Sequence, residues 1–265
     1  MIRSGCLIKM ALVEWVSGGD GIAVITINRK EQANALSDAV LEAFHDVLSE
    51  LENEPLRVMI VTGAGERVFS AGADLKERAR LSEEEVWPAV ERIRRLAERM
   101  ANVKVPTIAA LNGAAFGGGL ELALACDFRI AARDARLGLT ETSLGIIPGA
   151  FGTARLARLI GTTNAMELVL AARRIDAAEA VRLGIVSKAA DDAREEALSL
   201  AREIARNAPL AVQIAKEVIG RGRELPLFEA FELEKTGYLK TIKTEDRLEG
   251  LTAFREKRTP NFKGR

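Results

Sequence analysis

Apolar and polar residues alternate along LVEWVS, and a second apolar stretch over residues 22–27 is rich in β-branched side chains. With the turn-forming run GGDG between them, the pattern predicts strand, turn, strand. After the polar loop NRKEQAN, apolar residues fall at Leu36, Val40, Leu41, Phe44, Val47, Leu48 and Leu51. Those spacings trace one face of an amphipathic helix that starts at Ser37 and Asp38. His45 lies beside Phe44 but off that stripe, and reads as a solvated helix-surface histidine. A short apolar run over 57–61 follows, then the glycine-punctuated loop TGAGERVFSAGADLKER. A charged helix over 82–100 and a strand over 107–111, opened by Pro106, come next. The segment NGAAFGGGLELALACD passes from loop into helix, and FRIAA returns to strand. Such alternation predicts an α/β chain with parallel strands joined by crossovers. Beyond Thr153 the pattern is helical almost throughout, punctuated by Pro209 and Pro226.

Composition narrows the chemistry. The chain has 265 residues, 38 basic against 38 acidic side chains, one histidine and two cysteines. A net charge of zero gives no electrostatic reason to expect nucleic acid or an anionic membrane as partner. One imidazole leaves no His-rich metal site, and any Ser-His-Asp or Cys-His triad would need His45 itself. Cys6 and Cys126 are too few for a disulfide framework, so a reducing cytoplasm is the expected compartment. Apolar runs end well short of about 18 residues, so no membrane span is expected. The opening MIRSGCLIKMALVEWV, with Arg3 and Lys9, has a broken apolar run and no small-residue cleavage site, unlike an export signal. Carboxylates, backbone amides and hydroxyls are what remain.

Three segments could carry chemistry. In FSAGADLKE, residues 69–77, small side chains let a ligand approach the main chain, although an ordinary tight turn has the same composition. In NGAAFGGGLE, residues 112–121, three glycines precede a helix, where free N–H groups and the positive end of the helix dipole converge. That arrangement suits an oxyanion hole, and Glu121 falls in the first turn, where dipole compensation is the plainer role. In LTETSLGIIPGAFGTARL, residues 139–156, Glu141 sits among small and apolar residues that would alter its ionisation; a surface glutamate is the alternative. TGAGERV begins like a dinucleotide fingerprint, but Val68 takes the place of the third glycine, and no phosphate-binding Gly-Lys-Ser/Thr run exists.

Taken in this order, GADLKE, GGGLELALACD and IPGAFGTARL resemble the enoyl-CoA hydratase/isomerase (crotonase) superfamily over nearly the whole chain. GADLKERARLSEEEV and LELALACDFRIAA are most similar to the methylglutaconyl-CoA hydratases, which include a form described as binding AU-rich RNA. The resemblance implies an α/β spiral of ββα units over 1–205, and a C-terminal helical region over 206–265 that builds homotrimers or homohexamers. It implies an acyl-CoA thioester substrate, with no metal and no cofactor beyond the coenzyme A of the substrate. By motif position, the oxyanion hole matches the N–H groups of Ala73 and Gly118, and the two carboxylates of the hydratases match Glu121 and Glu141. Other branches commonly lack one of that pair, so both together favour hydration; Glu121 is assigned as base and Glu141 as acid. Isomerisation, another acyl-CoA reaction, or a methylglutaconyl-CoA hydratase with an RNA-binding side function are the alternatives.

Substrate contacts implied by the resemblance are Ala33, Ala71, Asp74, Leu75 and Gly149, with Arg29, Lys30, Lys257, Arg258 and Lys263 as cations for the CoA phosphates. Two positions depart from the family pattern. Phe151 replaces a glycine and Ala154 a glutamine, and Phe151 is expected to reshape the acyl pocket.

Overall fold

The computed structural model describes residues 11–265. Arg3, Cys6 and Lys9, and with them most of the segment weighed as an export signal, lie outside the described residues.

Strands β1 (Val13–Ser17) and β2 (Ile22–Ile27) form the expected antiparallel hairpin, with Val13 opposite Ile27 and Ser17 opposite Ala23. Helix α1 (Asp38–Leu51) buries the apolar stripe, and the Ser37 side chain accepts from Val40 N at its start. Then comes a repeated pair of strands. β3 (Val58–Gly63) is followed by β4 (Val68–Ser70), a one-turn helix α2 (Leu75–Arg78) and the long α3 (Glu83–Ala101). β5 (Thr107–Leu111) is followed by β6 (Ala114–Phe116) and α4 (Gly118–Ala125). β7 (Phe128–Ala132) is followed by β8 (Arg136–Gly138), a 3-10 turn (Glu141–Leu144), α5 (Gly152–Ile160) and α6 (Thr162–Leu170).

In each pair the first strand joins a large sheet, ordered β1-β2-β3-β5-β7-β10, and the second joins a small one, ordered β4-β6-β8-β9. The large sheet is parallel from β2 onward, and β3 and β5 are buried along their whole length. That burial explains why they read as unbroken apolar runs rather than alternating ones.

The structure departs from the sequence pattern at its short elements. The loop between residues 62 and 78 contains β4 and α2, and NGAAF contains β6. The region past Thr153 is also not purely helical. It contributes β9 (Ile175–Asp176), α7 (Ala177–Leu183) and β10 (Lys188–Ala190) before α8 (Ala193–Ala205). Strands of two or three residues are too short to show a period, so only their pairing reveals them. The chain closes with α9 (Pro209–Gly222), α10 (Leu227–Thr241) and α11 (Glu245–Glu256). Among the described residues no helix is long and apolar enough to cross a membrane.

Candidate active site

Strands β4, β6 and β8 lie side by side and parallel, so their C-terminal ends open at one edge of the small sheet. The chain leaves β4 into Ala71, Gly72 and Ala73, leaves β6 into Gly117 and Gly118, and leaves β8 into Leu139, Thr140 and Glu141. Three segments distant in sequence therefore meet because three short strands pair. Ligand sites at the carboxyl ends of parallel strands follow the same logic in other α/β sheets.

The loop after β4 is held on two sides. Leu36 N donates to Gly72 O (2.8 Å), Ala71 N to Ala33 O (3.0 Å), and Ser70 Oγ to Asn34 O (2.8 Å). Gly72 has φ +90°, and a Cβ there would lie 2.6 Å from Phe116 O and 3.0 Å from Gly118 N. Only glycine permits that conformation and that approach. The N–H of Ala73 comes within 3.6 Å of the Cβ position of Gly118, and neither Ala73 N nor Gly118 N has an acceptor among the described residues. Gly118 is the first residue of α4, so its N–H and the positive end of the helix face the same space. Two free amides with a helix terminus behind them can stabilise an oxyanion.

Both glutamates face this edge. All eight residues of α4 are buried, and Glu121 is the one ionisable group among them, 3% exposed. Its Oε1 accepts from Ala150 N (2.7 Å) and Gly152 N (2.9 Å). Burial lifts its pKa above the ordinary range, opposed by those two amides and by the Arg155 and Arg94 guanidiniums. Glu141 opens the 3-10 turn, and its Oε1 lies 3.1 Å from the Cβ position of Gly117, a residue at φ +49° where a side chain would press on the carboxylate. Its Oε2 is buried without a hydrogen-bond partner. Burial, and then the negative charge of Glu121, push the Glu141 pKa up to about 7. The pair is thus unequal: Glu121 has donors that hold a negative charge, and Glu141 has none from a side chain or neighbouring loop.

Of the substrate contacts expected from sequence, Ala33 and Ala71 sit side by side through their main chains, and Leu75 is exposed (58%) at the start of α2. The Asp74 carboxylate is engaged elsewhere. It caps α2 through Lys76 N and Glu77 N and pairs with Arg29 at 2.6 Å. Arg29 is therefore tied to this cap rather than free for a phosphate. Arg258 is likewise paired, with Glu249 (2.6 Å) and Glu256 (2.8 Å). Gly149 packs on Val90 of α3, and its carbonyl accepts from Arg94 Nη1 (3.0 Å). His45 is half-buried rather than solvated; Arg99 donates to its carbonyl (2.7 Å) and lies 3.3 Å from its ring nitrogen. Burial, and then the guanidinium, lower its pKa.

The sequence reading missed several residues that shape the site. Asn34, fully buried, donates to Ala64 O and Val68 O and accepts from Arg29 N, tying three loops together. Asn112 does the same between Thr62, Gly63, Gly65 and Val68. Neither stands in an apolar pattern, and an asparagine in a polar loop carries no sequence signal of such a role. The amides of Ala150 and Gly152, and Arg94 behind them, were also unforeseen.

Comparison with known proteins bears on the chain as a whole. A profile of the family described as enoyl-CoA hydratase/isomerase matches residues 17–265. A mitochondrial methylglutaconyl-CoA hydratase of Homo sapiens is 46% identical over 251 residues, which cover 92% of this chain and 74% of that protein. The mitochondrial enoyl-CoA hydratase domain-containing protein 2 of Homo sapiens is 45% identical over 261 residues, 96% of this chain and 89% of that protein. The crystal structure of an enoyl-CoA hydratase from Bacillus anthracis superimposes with a TM-score of 0.94 at 49% identity, covering 96% of this chain and all of that one.

Proposed function

The chain belongs to the enoyl-CoA hydratase/isomerase family, and from that premise we propose that it adds water across the 2,3 double bond of a 2-enoyl-CoA thioester. The observation that carries this reading is the unequal pair of carboxyls beside two unengaged amides. The thioester oxygen sits against Ala73 N and Gly118 N. As water adds at C3, negative charge grows on that oxygen, and the two donors with the α4 terminus favour this state over the ground state. Losing one such donor costs roughly 3 kcal/mol of transition-state stabilisation. Ionised Glu121 takes a proton from the water, while protonated Glu141 gives one to C2. The pair is left with its proton on Glu121 and resets by exchange with solvent. No metal or redox cofactor enters the proposed reaction.

Purified protein mixed with crotonyl-CoA should remove the conjugated-enoyl absorbance. Migration of a double bond without net hydration would favour isomerisation instead and defeat the reading.

A second reading concerns the acyl group. Arg94 donates one hydrogen bond, to Gly149 O, and has no carboxylate partner among the described residues. A cation this close to the Glu121 anchor favours an acyl chain that carries a negative charge, in keeping with the methylglutaconyl name of one relative. Higher catalytic efficiency on 3-methylglutaconyl-CoA than on crotonyl-CoA would support it, and the reverse order would oppose it.

We also read the helices over 206–265 as the surface through which copies of the chain assemble. No residue of α9 is buried, and Phe228 and Phe254 are 75% and 87% exposed. Sedimentation should give the mass of three or six chains; a monomer would refute this.

A further inference from the structure

Phe151 stands between the two amides that hold Glu121 and serves as the N-cap of α5. It does so at φ +71°, ψ 8°, a left-handed conformation that an aromatic side chain adopts only at a steric cost. Two guanidiniums meet its ring. The Arg94 carbon lies 4.2 Å from the ring centroid, and the Arg155 carbon lies 5.0 Å away. Arg94 also donates to Gly149 O, two residues before the ring, and Arg155 Nη2 reaches Ala97 O at 3.4 Å. The neighbouring Arg92, Arg95 and Arg99 pair with Asp38, Glu91 and Glu52. Arg94 and Arg155 have no ion-pair partner among the described residues, and Arg155 Nη1 is buried without an acceptor. The aromatic face is their common neighbour, a recognised partner for a desolvated cation.

We propose that Phe151 is a positioning residue, whose ring, gripped by Arg94 and Arg155, locks the 149–152 turn so that Ala150 N and Gly152 N converge on one oxygen of Glu121. The other oxygen is then turned toward the reacting water. This rests on the role of Glu121 proposed above. The charged groups facing Glu121 are Arg94 from α3, Arg155 from α5 and Glu141 from the 3-10 turn. A slack turn removes the two amides and releases Arg94 from Gly149 O and from the ring. Burial is then less opposed and the carboxyl holds its proton to higher pH.

The test compares Phe151→Ala, which keeps the backbone cost and loses the ring, with Phe151→Tyr, which keeps both. In Phe151→Ala, kcat on crotonyl-CoA should fall on the order of tenfold or more, with KM changed by less than about twofold. The acidic limb of the kcat profile should move up by about one pH unit, and the Ala150 and Gly152 amides should exchange hydrogen faster. Phe151→Tyr should restore all four readouts. If Phe151→Ala does not fold, Phe151→Asn, which tolerates a left-handed backbone, should show the same losses. An alanine or asparagine variant with normal kcat, pH limb and exchange would overturn the proposal, as would a tyrosine variant as impaired as alanine. Should Glu121→Gln hydrate at the native rate, the role of Glu121 fails, and the exchange data still decide whether the ring holds the turn.

Discussion

In the large sheet, β2, β3, β5 and β7 are five or six residues long, and the Val and Ile side chains along them are buried. In the small sheet, β4, β6 and β8 have three residues each and run straight into the turns that carry Ala73, Gly118 and Glu141. Burial of apolar surface makes the large sheet stable on its own account. The small sheet buries fewer such side chains, Phe69, Leu137 and Ile175 among them, and its strands are held also by register and by loop ties such as Asn34 and Asn112. The fold's stability and its proposed chemistry therefore rest on different sheets, and substitutions should separate them.

The sharpest separation comes from the carboxyls. Glu121→Ala and Glu141→Ala should each lower kcat/KM for crotonyl-CoA hydration by about a thousandfold or more, the loss of an acid or base group. Circular dichroism should stay native. Ile60→Ala, in the fully buried centre of β3, should do the opposite. It should cost about 2–5 kcal/mol of stability in denaturant unfolding, with turnover per folded molecule little changed. Gly72→Ala tests the small sheet between these extremes. Its Cβ would press on Phe116 O at 2.6 Å and force the Ala73 amide away from Gly118, so kcat should fall by about a hundredfold. A loss of stability with kcat unchanged would show that this sheet, too, is mere scaffold.

The smallest effect runs through pH. A carboxyl whose folded pKa lies above its unfolded one binds its proton more tightly when folded, so it penalises the fold once pH rises past the unfolded value. For Glu141 that penalty grows between pH 4.5 and about 7 and is complete above. Glu141→Gln should therefore be more stable to denaturant than the parent at pH about 8, by on the order of 1–3 kcal/mol, and should match it at pH about 4.

The same division explains what could be seen in the sequence. α1 was legible because Ser37 caps it and its apolar residues keep helical spacing, and β5 because Thr107 to Leu111 is a continuous run after a proline. The resemblance assigns Ala73 and Gly118 to an oxyanion hole and Glu121 and Glu141 to a carboxylate pair. What stayed hidden was the means of bringing them together. β4, β6, β8 and β9, at two or three residues each, are too short for an alternating pattern to repeat. The Ala150 and Gly152 amides that hold Glu121 carry no side-chain signal at all. Arg29 and Arg258 looked like free cations because Asp74 and Glu249, their partners, are neighbours only in space or across a helix end.

The central claim is that Glu141 works as an acid held near pH 7 beside an ionised Glu121. It is tested most directly by the pH dependence of kcat/KM for crotonyl-CoA hydration, measured from pH about 5 to about 9. The activity should decline above about pH 7, as Glu141 loses its proton, and in Glu141→Gln the residual rate should be low and should lack that alkaline decline. A parent profile with no decline on the alkaline side, or a glutamine variant that retains the parent rate, would contradict it.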